Sequence, residues 1–469
     1  MRAILVVLAV FAVSCGAQET VSDGAETTTT AAADSGEAIE TDSDEDDASQ
    51  DDTSEVTTDE GSSSEETPAE VATTEAEADP ETSSSSSTTE STTTTEAPET
   101  STSSTSSTTT TTEAVAQTSG DPELDALIDE LAAYVEAERG LEFLSRPQVQ
   151  LLDDDEFGDA WIALINEDAA ENATSYADFT DIYQTMGIIS DDRALDDIWR
   201  RFGEAGVLGY YETSLGAIVL RNGEINTLAR TTLVHELVHA LEDQHFGLSR
   251  DEYDDRTDEI GWTFSSLIEG SARVIENRYR STLTEAELQE EVAAIQALPR
   301  SVSLTEFNSS FLELQFGRYN YGEDFADVLW AEGGQAAIDA ALTSPPTSSE
   351  LILNPFSFTS GARAEAPLAA PPAEGEIFEQ GVWGEAAWIA LFADSVDLST
   401  SVDLADGWGG DWYVAWRDGA QTCVRIDVSA DDADEFVEYE RAIAQWARLE
   451  LGRELETVNS ETLRLTVCE

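Results

Sequence analysis

Two histidines and a glutamate lie close together in a stretch that could form a single helix, from Thr227 to Phe246. Residues 235–239 read His-Glu-Leu-Val-His, the H-E-x-x-H spacing. Positions four apart on an α-helix differ by about 40° around the axis and about 6 Å along it, so both imidazoles can reach one metal ion. Glu236 follows the first histidine directly and can take a proton from a water on that metal. We therefore predict that His235 and His239 bind zinc and that Glu236 is a general base.

The chain contains few histidines, which argues against an accidental match. With three histidines in 469 residues, chance gives on the order of 0.002 such patterns per chain. The same stretch also carries an apolar face, formed by Leu233, Val234, Leu237, Val238 and Leu241. Such a face packs against the body of a domain, so we expect it to hold the helix while the histidines point elsewhere.

His245 is one candidate for a third ligand. It falls six residues after His239, as in the metzincin arrangement H-E-x-x-H-x-x-G-x-x-H, but Glu242 occupies the place of the glycine. Without that glycine the helix should continue, which points His245 roughly 120° away from His239. Metzincins also need a methionine turn downstream, and the only methionines here are Met1 and Met186. We therefore expect His245 at the helix end and not on the metal.

Glu269 is the competing candidate. It lies in a second predicted helix, residues 263–276, within an apolar stretch and directly before small residues. Gly270 and Ala272 would let this helix pack close to the first one and bring Glu269 to the metal. Two histidines and one glutamate on zinc, with a second glutamate as base, is gluzincin chemistry. The alternative is that Glu269 faces solvent, as most acidic residues do.

Residues 235–246, together with Glu269-Gly270-Ser271-Ala272, resemble a group of largely uncharacterised extracytoplasmic zincin-like proteins of the gluzincin type, which are bacterial and archaeal lipoproteins. Further similarity covers residues 319–325, 345–355 and 407–411, although Asn354 stands where relatives would carry a histidine. The resemblance implies a zincin-like fold and a zinc metallopeptidase acting on a peptide or protein. It supplies no particular substrate.

Other side chains could support the reaction. Asp243 lies four residues after His239 on the same helix face and could orient a ligand. Four side chains could donate a hydrogen bond to the oxyanion that forms during hydrolysis, and the sequence does not choose among them: Tyr279, Tyr319, Tyr321 and His245.

The N-terminus predicts export. Residues 1–15 contain an apolar run from Ala3 to Val13, which is too short to span a bilayer but suits a signal peptide. Ala12-Val13-Ser14-Cys15 resembles a lipobox, so we expect a lipidated Cys15 and attachment to a membrane at the cell surface. The alternative is a plain secreted protein.

Residues 16–120 consist mainly of Ser, Thr, Ala and acidic residues, with 27 Asp and Glu and no Arg or Lys. Such a segment cannot bury enough apolar surface to fold. We predict a disordered linker that reaches roughly 55–60 Å from end to end. It would act as a stalk that lifts the rest of the chain away from the membrane.

Residues 121–469 carry 71 Asp and Glu against 21 Arg, and the chain has no Lys. This charge argues against nucleic acid or anionic lipid surfaces as partners. We expect one zincin-like domain made of an N-terminal helical part (121–206), a hairpin and zinc-binding core (207–281) and a C-terminal part (282–469). Outside the cytoplasm Cys423 and Cys468 should form a disulfide.

The predicted fold is α+β, mainly helical with a small mixed sheet. Residues 207–223 read as a β-hairpin that turns near 214–216, and we expect the strand before the ligand helix to be a sheet edge along which a peptide can lie. Residues 407–411 read as a tight turn before a pair of strands. Together these features predict an extracytoplasmic zinc metallopeptidase. The alternative is a non-catalytic surface lipoprotein whose zinc-containing cleft binds a peptide or wall component.

Overall fold

The computed structural model describes residues 119, 121–190, 192–221, 225–254, 259–298 and 302–469. The predicted signal peptide and lipobox lie outside the described residues, and so does the predicted linker apart from Ser119. The described part is α+β and mainly helical, as expected, but it contains two small sheets where one was predicted. None of its helices combines the length and the apolar composition that are required to cross a membrane.

The first half of the described chain contains these elements: α1 Pro122–Arg139, β1 Gln148–Leu152, α2 Asp154–Glu171, α3 Ala173–Thr185, α4 Leu195–Gly206, β2 Gly209–Glu212, β3 Ala217–Arg221, α5 Thr227–Phe246, α6 Asp251–Asp254, α7 Glu259–Arg280 and α8 Glu285–Ala297. A 3-10 turn at Leu304–Glu306 precedes the second half: α9 Ser309–Gly333, α10 Gln335–Thr343, α11 Ser349–Leu353, α12 Pro355–Thr359, β4 Glu376–Gly381, α13 Glu385–Phe392, α14 Leu398–Ala405, β5 Trp408–Asp418, β6 Gln421–Ala430, α15 Ala433–Ala447, β7 Arg453–Asn459 and β8 Thr462–Cys468.

The first sheet has the strand order β1-β3-β2. The predicted hairpin is present, since β2 and β3 pair antiparallel around residues 213–216. However, β1 pairs parallel to β3, with Gln148 opposite Ala217, and therefore covers its other side. The expectation that the strand before the ligand helix is a sheet edge is wrong, because β3 is the middle strand. The edges of this sheet are β1 and β2.

Helix α5 is fixed at both ends and along most of its length. The side chain of Asn226 accepts a hydrogen bond from the Ala229 N–H at its start, and Gly247 ends it with a φ of 66°. Residues 227–242 are buried apart from Arg230. The predicted apolar face joins a core cluster that also contains side chains of α1, β1, β3 and α7. The helix is therefore a rigid support for the histidines.

Helices α7 and α9 touch where Gly270 meets Gly322. A Cβ at Gly270 would overlap the carbonyl oxygen of Gly322, and a Cβ at Gly322 would overlap that of Ser266. We expected Gly270 and Ala272 to bring α7 to the ligand helix. Ala272 does pack in the core cluster that contains the apolar face of α5. The expectation is wrong for Gly270, because its open side faces α9.

The second sheet is antiparallel with the strand order β4-β5-β6-β8-β7. The predicted disulfide is present and joins Cys423 of β6 to Cys468 of β8. The tight turn predicted for residues 407–411 is wrong. These residues enter β5, and the register of that strand shifts between Trp408 and Asp411, so a bulge accommodates the two glycines.

Candidate metal centre

His235, His239 and Glu269 converge on one point between α5 and α7. The Nε2 atom of His235 lies 3.2 Å from Glu269 Oε2, and the Nε2 atom of His239 lies 3.7 Å from the same oxygen. One ligand atom from each of the three residues lies within 4.8 Å of the others. All three side chains are buried, with at most 3% of the residue exposed. The group could bind a metal ion.

These spacings fit a small cation. Ligand atoms about 2.0–2.1 Å from a tetrahedral zinc ion lie roughly 3.3 Å from one another. The two separations measured from Glu269 Oε2 bracket that value. Neither ring nitrogen of His239 has a hydrogen-bond partner, although both are buried. Because buried polar atoms are normally satisfied, a cation between these three residues would account for His239 Nε2.

The electrostatics of His235 and Glu269 also favour a positive charge at this point. Burial lowers the pKa of His235, but hydrogen bonds to Glu269 and Glu276 outweigh it and raise that pKa to about 10. Burial raises the pKa of Glu269, but the two histidines outweigh it and hold the pKa below its usual value. A metal ion bound at Nε2 of His235 would therefore displace a proton from this ring.

Glu276 was not predicted as part of the site. Its Oε2 lies 3.1 Å from Nδ1 of His235, on the side of the ring away from Glu269. Arg273 donates to the same oxygen at 3.0 Å. Burial raises the carboxyl pKa of Glu276, but Arg273 and His235 outweigh it and lower that pKa to about 2. Glu276 follows Glu269 by two helical turns, so both carboxylates lie on one face of α7. The seven-residue spacing from Glu269 is the sequence signal that could have identified Glu276.

Glu236 lies in the interior beside the three ligand candidates. Its side chain is fully buried, and neither carboxylate oxygen has a hydrogen-bond partner. Burial raises its pKa well above the usual value, and the charges of Glu269 and Glu276 act in the same direction. Strand β2 leaves room for it at Gly209, where a Cβ would lie 3.1 Å from Glu236 Oε1. Gly209 was also missed, because glycine on a short strand carries no distinctive pattern.

The tyrosines predicted as oxyanion donors differ in position. The ring of Tyr319 stacks on His235, with centroids 6.4 Å apart, so this tyrosine is at the cluster. The hydroxyl of Tyr321 donates to Glu313 at 2.8 Å. The hydroxyl of Tyr279 accepts a hydrogen bond from Arg230 at 3.1 Å. Of these three, Tyr319 is the one that contacts a ligand candidate.

His245 and Asp243 lie at the end of α5 and not at the cluster. His245 is exposed, and its Nε2 lies 2.8 Å from the backbone carbonyl oxygen of Glu142. Asp243 accepts hydrogen bonds from the Tyr211 hydroxyl and the Leu248 N–H, which anchors the helix end. Asp243 therefore does not orient a ligand directly.

Glu242 explains why the helix continues past His239. Its carboxylate is fully buried and accepts a 2.8 Å ion-paired hydrogen bond from Arg139, which is itself buried. The hydroxyl of Ser271 donates to the same Glu242 oxygen. These contacts connect α5 to α1 and α7, and they give Glu242 a structural role where a metzincin would turn.

Comparisons with known proteins identify no relative: no protein-family model, no curated protein and no solved structure matches the chain.

Proposed function

We propose that this protein is a zinc-dependent peptidase of gluzincin type, with His235, His239 and Glu269 as ligands and Glu236 as general base. The observation that carries the proposal is the carboxylate of Glu236, which is buried beside the ligand candidates without a hydrogen-bond partner. A buried acid without a partner is costly. A zinc ion and its bound water beside Glu236 would offset this cost.

Each residue has a separate task in this proposal. Zinc bound by the three ligands would polarise a peptide carbonyl and lower the pKa of a coordinated water. Glu236 would accept the proton of the attacking water and pass it to the leaving amine. Burial raises its carboxyl pKa, and a nearby cation favours the ionised form that this role needs. Tyr319 is the best placed of the predicted oxyanion donors because it contacts His235.

The substrate strand would pair with β2. The Arg221 N–H donates to the Leu208 carbonyl at 2.7 Å. Tyr210 lies two residues after Leu208, so its backbone groups also point towards β3, where its partner is Val219. In an antiparallel pair the alternate residues, here Gly209 and Tyr211, turn their backbone groups away from the partner strand. A peptide added along this edge would pass Glu236, which lies beside Gly209.

One observation favours a second candidate, a non-catalytic protein whose metal ion is structural. The ligand candidates and Glu236 are almost completely buried, so a peptide reaches them only if covering side chains move. A structural zinc site is normally closed by a fourth protein ligand. Among the described residues, the group that could hold a metal contains three, which favours the enzyme.

We also propose export and lipid attachment at Cys15, as the N-terminal sequence predicts. The disulfide between Cys423 and Cys468 supports this part of the proposal, because disulfides persist in oxidising compartments. Mass spectrometry of the protein from a bacterial membrane fraction tests it. A diacylglyceryl group on Cys15 is the expected result, and an intact N-terminus at Met1 would contradict it.

The first test of the enzymatic proposal is metal content with peptide cleavage. We expect near one zinc per chain in the wild type, loss of zinc in Glu269→Ala and retention in His245→Ala. Glu236→Gln should keep zinc and lose cleavage. A protein without zinc would contradict the ligand set. Zinc without any cleavage, in wild type and Glu236→Gln alike, would favour the non-catalytic candidate.

A further inference from the structure

Arg318 lies at the edge of the candidate metal centre, on α9. It directly precedes Tyr319, whose ring stacks on His235. It also lies one helical turn before Gly322, which contacts Gly270, the neighbour of Glu269. The charge of Glu269 acts on the Arg318 guanidinium together with the hydroxyls of Tyr183 and Tyr319. The backbone crossing and the electrostatics therefore place Arg318 beside the ligand cluster.

Within the described part of the chain, no carboxylate lies close enough to Arg318 to form an ion pair. Neighbouring arginines form ion pairs, as Arg273 does with Glu276 and Arg280 with Glu291. Arg318 forms no ion pair with any carboxylate of the described residues, and its Nε is buried without a hydrogen-bond partner. The chain has 98 acidic and 22 basic residues, so an arginine that lies beside the candidate metal centre and lacks an ion pair is free to bind an anion from outside.

Arg318 lies closer to solvent than the ligand candidates do. Arg318 and Tyr183 are partly exposed, whereas His235 and Glu236 are fully buried. Burial raises the pKa of the Tyr183 hydroxyl, and the positive charge of Arg318 opposes that shift. The tyrosine therefore stays protonated and is a second hydrogen-bond donor next to the guanidinium. Planar guanidinium groups bind carboxylates with two parallel hydrogen bonds.

We propose that Arg318 binds a carboxylate of the peptide substrate and so selects which peptides are cleaved. This inference rests on the proposed peptidase function. The strongly negative protein repels acidic peptides at long range, so a fixed cation beside the metal centre is the place where a substrate anion is stabilised. The carboxylate is either the C-terminus of the peptide or an Asp or Glu side chain, and the two sources can be separated by experiment.

The experiment measures binding without turnover. The full chain carrying Glu236→Gln is loaded with zinc, immobilised and exposed to N-acetylated hexapeptide pools. One pool ends in a free carboxylate and one in an amide, and each is made with and without Asp and Glu. Retained peptides are quantified by mass spectrometry. We expect the pools that carry the recognised carboxylate to bind roughly 10- to 100-fold more tightly, the range of a charge-assisted hydrogen bond.

Arg318→Gln should abolish this preference while zinc content stays near one per chain, which separates the arginine from direct binding of the carboxylate to the metal. Arg441→Gln removes the same charge at an exposed position on α15 and should change nothing. If Arg318→Gln does not fold, Arg318→Lys keeps the charge without the planar fork and should weaken the preference severalfold.

Two results would overturn the inference, and they differ in what they say about the enzyme. Peptide binding that ignores carboxylates, or a preference that survives in Arg318→Gln, overturns the role of Arg318 and leaves the peptidase proposal standing. If the zinc-loaded protein retains no peptide in any pool, the proposed function fails and this inference fails with it. A preference for the free C-terminus alone would indicate a carboxypeptidase, and a preference for Asp or Glu alone would indicate an acid-directed endopeptidase.

Discussion

Glu276 Oε2 lies 3.1 Å from Nδ1 of His235, while Glu269 Oε2 lies 3.2 Å from Nε2 of the same ring. The two ring nitrogens therefore have different tasks. A carboxylate at Nδ1 fixes the tautomer in which Nδ1 carries the hydrogen and Nε2 is free to bind a metal. Helix α7 thus supplies both a ligand candidate and the residue that orients another ligand candidate.

Replacing Glu276 should weaken metal binding without removing a ligand. We expect Glu276→Gln to lower zinc affinity by roughly 10- to 100-fold, the usual effect of losing such a support. Competition with a chelator of known affinity measures it. Glu323→Gln is the matched control, since Glu323 binds Arg273 and Asn277 but not His235. Equal affinities for Glu276→Gln and Glu323→Gln would show that the contact with His235 is unimportant.

The close contact of α7 and α9 should be sensitive to a single methyl group. Gly270→Ala places a Cβ on the carbonyl oxygen of Gly322, so the helices must separate. We expect a loss of about 1–3 kcal/mol in the free energy of unfolding, measured by urea titration. Gly158→Ala is the control, because a Cβ on that helical glycine meets no atom within 4 Å. It should be neutral or stabilise by up to about 1 kcal/mol. Similar destabilisation by both would contradict the role of the crossing.

The position of Glu236 should depend on the empty space at Gly209. A Cβ there would lie 3.1 Å from Glu236 Oε1 and 3.0 Å from the Thr232 methyl group. If the peptidase proposal holds, Gly209→Ala should lower kcat by about 10- to 100-fold, because small displacements of a catalytic group are costly. Zinc content should not change, since Gly209 contacts none of the ligand candidates. Gly206→Ala, which meets no atom within 4 Å, should keep full activity. Loss of zinc in Gly209→Ala would point to a wider disturbance of α5.

The ligand candidates could be predicted from the sequence because their spacing is a local property. His235 and His239 are one turn apart on one helix, and Glu269 stands out as an acid within an apolar stretch. The structure brings these three side chains together. The same reasoning placed His245 away from the site, since a helix without a glycine at position 242 continues, and His245 is exposed there.

Contacts between distant segments could not be predicted in this way. The parallel pairing of β1 with β3 makes β3 a middle strand, and no pattern in either strand names its partner. For the same reason, Gly270 was predicted to pack against the wrong helix. A glycine in a helix indicates that another segment packs closely, but it does not identify that segment. The glycines at 409 and 410 suggested a turn, but a bulge in β5 absorbs them.

The buried carboxyl of Glu259 should make stability depend on pH. Burial raises its pKa to about 7, although the Ser349 N–H, at 2.7 Å, and the Ser349 hydroxyl donate to it. Because the pKa is raised in the folded state, the folded protein binds more protons than the unfolded chain between about pH 4.5 and pH 7. Stability from this group is therefore present below about pH 4.5 and is lost as the pH rises through about 7.

Glu259→Gln tests this, since glutamine still accepts hydrogen bonds from Ser349 and cannot ionise. Urea titrations between pH 4.5 and pH 8 should show the wild type losing roughly 3 kcal/mol relative to Glu259→Gln as the pH rises. Buried acids that do not interact with Glu259, such as Asp168 with its pKa raised by burial, titrate in both proteins and cancel in the difference. Glu438→Gln removes an exposed charge and should run parallel to the wild type. If the stability of Glu259→Gln runs parallel to that of the wild type across this pH range, the pKa of Glu259 is the same in the folded and unfolded protein. That result would contradict the prediction.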